Sequence, residues 1–477
     1  MKKTVIALLS LFAGIACADG LPDLGDASQD TLSPQMERQI GQQSLFEIRA
    51  DKSYLDDAEV NDYLNQLGDQ LVAYSTEPGR DFEFFAINNN AINAFALPGG
   101  FVGVNTGLVL TAQSESELAS VMGHEIAHVT QHHIARLISG QKYDTAASIA
   151  AMALALLAAR SNPQAAQAAM VGVQANAIQR QLDFTRSYEQ EADRLGVTML
   201  QKAGFDPHAM PIFFERMQRA TRLLDNTTLP TYLRTHPVTN ERIADIGNRV
   251  QQIPYKLVAD SLSFHLVRAK LLAMQKTPQE GIAYFTAALG PQRFGNQTAQ
   301  RYGLVLALLR NNQSAQAAQE FVPLAKQAQH NPMLLTLSGQ LKRYGKEDKN
   351  LFAFYRNATQ AFPHHRALLY DYIALLLDAK RPQEALKLLE EESASHPSDV
   401  RLYELQARTY AAMNKLKESH RAHAYALMWD GKLAAAVEQL EIAKRNGTDY
   451  HQDAAIDSEL KLLREVLLAQ PQKRRGG

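Results

Sequence analysis

The stretch Ser120-Val121-Met122-Gly123-His124-Glu125-Ile126-Ala127-His128-Val129 constrains this chain more than any other. It sets two histidines four residues apart inside an apolar run, and a helix places such residues side by side on one face. Two imidazoles in that pose can hold one Zn²⁺ ion at about 2.0–2.1 Å each, with Glu125 at the same end of the site. An ion so held acidifies water, and Glu125 is placed to take the proton and pass it to a leaving amine. The plainer alternative is a buried helix with two satisfied histidines and one exposed acid. Ser114 and Glu117 fit a capping box at the helix start, and Leu118, Val121, Met122, Ile126 and Val129 give it a wide apolar surface. His132 and His133 extend the histidine cluster. His132 is one more i+4 step along the face, about 12 Å from His124 at 1.5 Å per residue, too far to share an ion.

A hydrolytic metal site needs a third protein ligand and an open fourth position. The metzincin spacing would put a histidine where Ile134 stands, which excludes that class. The best acidic candidate is Ser187-Tyr188-Glu189-Gln190-Glu191-Ala192-Asp193, read as a helix capped by Ser187 with Gln190 completing the box. Glu189 and Asp193 then share a face while Glu191 points away. Glu189 can ligate the metal, and Asp193 can orient one of its histidines. Taken alone, these acids would be a solvated helix face.

The rest of the N-terminal half is helical from Ser33-Pro34 to about Tyr74, then changes period. Residues 81–87, 91–97 and 101–104 read as three short strands, with turns at Asn88-Asn89-Asn90 and Pro98-Gly99-Gly100. A small antiparallel sheet is therefore expected just before the histidine helix. An edge strand beside a metal can bind an extended peptide through its backbone. Asn93-Ala94-Phe95 resembles the Asn-Ala-aromatic edge strand of the gluzincin peptidases. Within residues 141–182, an Ala-rich run at 145–159, too short and too weakly apolar to span a bilayer, is followed by a break at Arg160-Ser161-Asn162-Pro163 and a second Ala/Gln-rich run, together expected as a packed or mobile helical hairpin beside the site. At most peripheral membrane contact follows.

H-E-x-x-H with a downstream E-x-x-A-D, together with Asn-Ala-Phe-Ala-Leu-Pro-Gly-Gly at 93–100, resembles the M48 family of zinc metallopeptidases over about residues 35–250. The resemblance implies one Zn²⁺ per chain held by His124, His128 and Glu189, with Glu125 as general base and acid and Asp193 behind a ligand. His236, in a His-Pro segment similar to one in soluble members, is a further site candidate. It would either stabilise the tetrahedral oxyanion or, at rest, fill the open position on the zinc.

The chain has 477 residues, more than one core accommodates. After Pro254 only helical patterns recur. Pro278-Gln279-Glu280 and Pro382-Gln383-Glu384 precede similar apolar runs, and Pro332, Pro363 and Pro397 close successive units. This is the tetratricopeptide pattern, with a period of about 34 residues. The expected fold is therefore mostly helical α+β: a gluzincin-type metallopeptidase domain over 19–254, an all-α repeat solenoid over 255–470, and a disordered tail at 471–477. Residues 1–18 read as a cleaved signal peptide: Lys2 and Lys3, an apolar stretch, then Ala16-Cys17-Ala18. Acylation at Cys17, the only cysteine, is the less favoured alternative, because a lipobox would prefer Leu where Gly14 stands. With 46% hydrophobic and 21% charged residues, neither disorder nor a fully membrane-embedded chain fits, and a net charge of −1 gives no basic field for nucleic acid.

A secreted M48 peptidase joined to such repeats resembles a group of periplasmic M48 proteases of Gram-negative bacteria. That resemblance implies misfolded or stalled outer-membrane proteins as substrates and a contact, through the repeats, with the barrel-assembly machinery. The competing reading is a chaperone or assembly adaptor whose zinc site is largely silent.

Overall fold

The computed structural model describes residues 32–139, 175–221, 231–291, 294–345, 350–393, 396–447 and 450–469. The expected signal peptide, the Ala-rich run at 145–159 and the tail at 471–477 lie outside the described residues. What is described is a mostly helical α+β protein. Helices α1 (Pro34–Arg49) and α2 (Ala58–Val72) start on Ser33 and Asp57, whose side chains accept from the amides of Met36 and Val60. Strands β1 (Glu83–Ile87), β2 (Ala94–Leu97) and β3 (Phe101–Asn105) follow.

The sheet is mixed, not antiparallel as the sequence suggested. Its order is β1-β3-β2, with β3 antiparallel to β2 and parallel to β1. The reason lies in residues 88–93. Asn89 does not close a hairpin there. Its carbonyl accepts from the Gly107 amide and its backbone N–H donates to Thr106 Oγ1, so the connection passes beyond the end of β3. The true hairpin turns at Gly99 and Gly100, both at positive φ, and it meets β1 through its second strand.

The two edges of this sheet differ. Asn61 and Asn65, one turn apart on α2, cover the outer edge of β1. Asn61 Oδ1 accepts from Ala86 N at 2.9 Å, and the Asn65 amide both accepts from Phe84 N at 2.9 Å and donates to Phe84 O at 2.7 Å. The outer side of β2 pairs with no strand among the described residues, and β2 packs on the histidine helix.

Helices α3 (Thr106–Thr111), α4 (Glu115–Thr130), α5 (His133–Ser139), α6 (Ala175–Ala203), α7 (Ala209–Thr221), α8 (Thr231–Thr235) and α9 (Asn240–Val250) complete the N-terminal half. All of α4 is buried apart from His128. Ser114 caps it as expected, but Glu117 reaches the Gln113 amide rather than closing the box on Ser114, and it also binds Arg216. Helix α6 runs without interruption through Ser187, so that serine is an interior residue and not a cap. Gly123 and Gly196 meet where α4 crosses α6. A Cβ on Gly196 would lie 2.9 Å from Met210 Cε and 3.3 Å from the His124 nitrogen.

From Leu262 onward the helices pair in succession, with first helices beginning at Leu262, Gln297, Pro332, Arg366, Val400 and Leu433, a period of about 34 residues. These repeats do not stand apart from the rest. One apolar core runs from Leu64 and Met122 through Phe213 and Phe264 to Leu341. The solenoid then curves over α2 and α1. Lys270 reaches Asp57 and Glu59 at 2.7 Å each, His365 lies 3.3 Å from Glu59, and Tyr302 donates to it at 3.3 Å. Further along, Arg366 binds Asp62, and Arg49 donates to the Ser398 carbonyl at 2.8 Å. Gly431, at φ 72°, lies so close to α1 that a Cβ would stand 2.1 Å from the Phe46 carbonyl oxygen.

Glu59 is the buried centre of this junction. Burial opposes its charge, but Lys270 and His365 hold its carboxyl below the ordinary value of 4.5. A carboxyl depressed to about 2 stabilises the fold fully above 4.5, and that contribution is lost as pH falls from there through about 2. Glu59→Gln should therefore destabilise the protein by about 3 kcal/mol at neutral pH, because Lys270 loses a buried partner. In urea unfolding followed across pH, the gap between parent and variant should narrow as pH falls below about 4.5 and close only at about 2.

Candidate metal centre

Helix α4 presents His124 and His128, and α6, crossing at the paired glycines, presents Glu189 and Asp193. Helix α8 ends at Thr235 and delivers His236. The His124 and His128 Nε2 atoms are 3.0 Å apart. Glu189 lies 3.3 Å from each of them, through Oε2 and Oε1 respectively. His236 Nδ1 is 3.3 Å from His124 Nε2 and 2.9 Å from Glu189 Oε1. The four ligand atoms fit within 4.8 Å of one another. Tetrahedral bonds of about 2.0–2.1 Å place ligand atoms about 3.3 Å apart, so the set has the size of a single small ion.

Electrostatics agree. Burial works against a charged His124, yet Glu189 and Asp193 hold its pKa up at about 10. Burial keeps His128 below its ordinary value. Glu189 stays well below the usual carboxylate range, against its burial, because His236 and His124 face it. The pocket attracts positive charge, which a divalent ion supplies. Glu125 Oε1 is buried without a hydrogen-bond partner, with His236 Nε2 at 3.5 Å. An orphaned carboxylate oxygen at that place fits a site made for one more polar group.

Asp193 holds His124 from behind, with Oδ1 3.0 Å from its Nδ1. Arg242 binds Asp193 through Nε and NH2 at 2.7 Å each, and its NH1 lies 2.8 Å from Glu189. Sequence reasoning gave Arg242 no role, although a signal existed. Thr239 caps α9, so Arg242 sits in the first turn, where the helix dipole disfavours a cation. A buried arginine there implies acids from elsewhere. His236 stacks on Tyr232 at 5.0 Å, and the Tyr232 amide donates to the Ile92 carbonyl beside β2. Asn93 is buried with its Oδ1 unpartnered, and Ala94 and Phe95 begin the edge strand. His132 stands outside the cluster, paired with Glu37 and Glu77 at 3.2 Å. Glu191 does face away from the ligand atoms, toward His133 and Arg136.

The chain belongs to peptidase family M48. The sequence profile described as peptidase family M48 matches residues 58–250, and a tetratricopeptide-repeat profile matches 352–409. The Beta-barrel assembly-enhancing protease of Escherichia coli (strain K12) is 32% identical across 98% of this chain and 97% of its own length. The Putative beta-barrel assembly-enhancing protease of Vibrio cholerae is 34% identical across 83% of this chain and 82% of its own. The Mitochondrial metalloendopeptidase OMA1 of Arabidopsis thaliana matches 46% of this chain and 42% of its own length at 28% identity. The protein is thus a metallopeptidase carrying tetratricopeptide repeats.

Removing the guanidinium should be felt at the metal. Arg242→Leu is expected to lower metal affinity about 10- to 100-fold, measured by competition with a chromogenic chelator. Arg242→Lys, which keeps the charge but not the fork, should fall between.

Proposed function

We propose that this chain is a periplasmic zinc endopeptidase acting in the quality control and assembly of outer-membrane proteins. The observation that carries the reading is the buried convergence of two histidines and a glutamate beside a Glu125 oxygen without a hydrogen bond and a sheet edge with no strand partner among the described residues. His124, His128 and Glu189 would hold the zinc, which when bound supplies Lewis-acid activation of water and of the peptide carbonyl. Glu125 takes the proton at its free Oε1 and returns it to the leaving amine. Asn93, Ala94 and Phe95 hold the substrate in extended form along β2, where backbone hydrogen bonds do not depend on side-chain identity. That suits a protease acting on many misfolded chains.

His236 is proposed to close the resting site. Its Nδ1 is one of the four converging ligand atoms, so at rest it would take the position a substrate needs. The periplasmic assignment is supported by the expected signal peptide, and the role in β-barrel assembly by the names of the relatives. No helix among the described residues is long and apolar enough to cross a membrane. The repeats would dock substrates or the barrel-assembly machinery.

Glu125→Gln should keep about one zinc per chain and lose casein cleavage by at least about 100-fold. Proteolysis that survives the change would rule out Glu125 as the base. Full rescue of a deletion strain by the same variant would favour the adaptor reading. Glu189→Ala should lose the metal, read by elemental analysis. His236→Ala should raise peptide hydrolysis, whereas a fall would mean that the residue assists the oxyanion instead.

A further inference from the structure

A histidine that offers Nε2 to a metal must keep its proton on Nδ1, and the group facing Nδ1 decides whether it does. For His124 that group is Asp193. For His128 it is a third imidazole. His133 Nδ1 lies 2.8 Å from His128 Nδ1, and the rings are edge-on with centroids 4.8 Å apart. At that distance one nitrogen donates and the other accepts.

The far side of His133 determines which. Its Nε2 is 3.2 Å from Glu191 Oε2, an oxygen that also accepts from Arg136 NH1 at 3.0 Å. An ionised carboxylate only accepts, so His133 Nε2 carries the proton. Its Nδ1 is then a lone pair, His128 Nδ1 donates to it, and His128 Nε2 is left bare toward the cluster.

The arrangement is built, not incidental. His133 is buried and stacks on Tyr188, with ring centroids 4.4 Å apart and planes 15° from parallel. Tyr188 immediately precedes Glu189. The Arg136 guanidinium lies over the other part of this group, 4.7 Å from the Tyr188 ring. The chain reaches this position through His132, whose φ of 50° is left-handed, a conformation usually left to glycine or asparagine at a helix end. Glu37 and Glu77 hold that residue. The reversal turns α5 back so that His133 meets His128.

We propose that His133 is a positioning residue of the metal centre, which accepts the Nδ1 proton of His128 and, anchored by Glu191, fixes that ligand's tautomer and ring plane. The inference rests on the zinc-site reading above. It gives α6 a second duty. One helix terminates both histidines in carboxylates, His124 directly at Asp193 and His128 through His133 at Glu191.

The test is zinc affinity of the full chain by chelator competition, with Co²⁺ substituted for Zn²⁺ to record visible absorption. His133→Phe keeps a ring against Tyr188 but offers no acceptor. It should bind zinc about 10- to 100-fold more weakly and shift the Co²⁺ bands. His133→Asn, whose carbonyl oxygen can accept, should recover most of the loss. Glu191→Ala, changed at a half-exposed position, should weaken zinc about tenfold and serves if His133→Phe does not fold. A parent that holds no zinc overturns both readings. A parent that holds it while His133→Phe or Glu191→Ala binds as tightly, with the same Co²⁺ spectrum, overturns this one alone. Equal losses in His133→Phe and His133→Asn would assign His133 to packing and overturn it too.

Discussion

Two carboxylates cannot be buried beside each other without compensating charge, and that constraint organises the centre of this protein. Glu189 and Asp193 are both nearly sealed from solvent one turn apart on α6. The Arg242 guanidinium binds Asp193 and lies beside Glu189, so α9 has to pack against α6 at that level. His124 then completes a buried chain of alternating charge, from arginine through aspartate to imidazole. Such a chain is stabilising only when every member is present, because removing one leaves the next buried and unpaired. The candidate ligand set is therefore held in place by the protein's own charges, and a metal would enter a cage already formed.

The surroundings give the cage a direction. Asn61 and Asn65 satisfy the outer edge of β1, and β2 is left as the edge without a strand partner, packed on α4. Among the described residues, the sheet edge that lacks a strand partner is thus the one packed on the histidine helix. His128 is the one residue of α4 that is not buried.

Local features of this architecture were legible in the sequence, and non-local ones were not. H-E-x-x-H and Glu189-x-x-x-Asp193 are helical spacings, and a helix makes them neighbours wherever it sits. The repeat period was legible for the same reason. The parallel pairing of β1 with β3 was not, because it depends on where Asn89 finds partners beyond the strand. Ser187 and Gln190 mimicked a helix start, yet α6 passes through them, packed against α4. A capping pattern says only that a helix could begin there. Arg242 escaped because Asp193 and Glu189 lie far back in the chain, and His133 because its contact with His128, five residues earlier, depends on the left-handed turn at His132. The folding of the repeats over α1 and α2 had no local signature at all.

That last contact has a consequence for how the chain is made. Arg49 near the start donates to the carbonyls of Ser398 and Trp429, and Phe46 packs on the Trp429 ring at 5.5 Å. Contacts of such sequence separation close late, since the loop entropy must be met before they form. While the chain emerges from its N-terminus, α1 and α2 wait with one face unmatched until most of the repeats exist. Completion of the N-terminal half is thereby tied to completion of the other, and a chain truncated before the repeats would leave an apolar and charged seam of α1 and α2 uncovered.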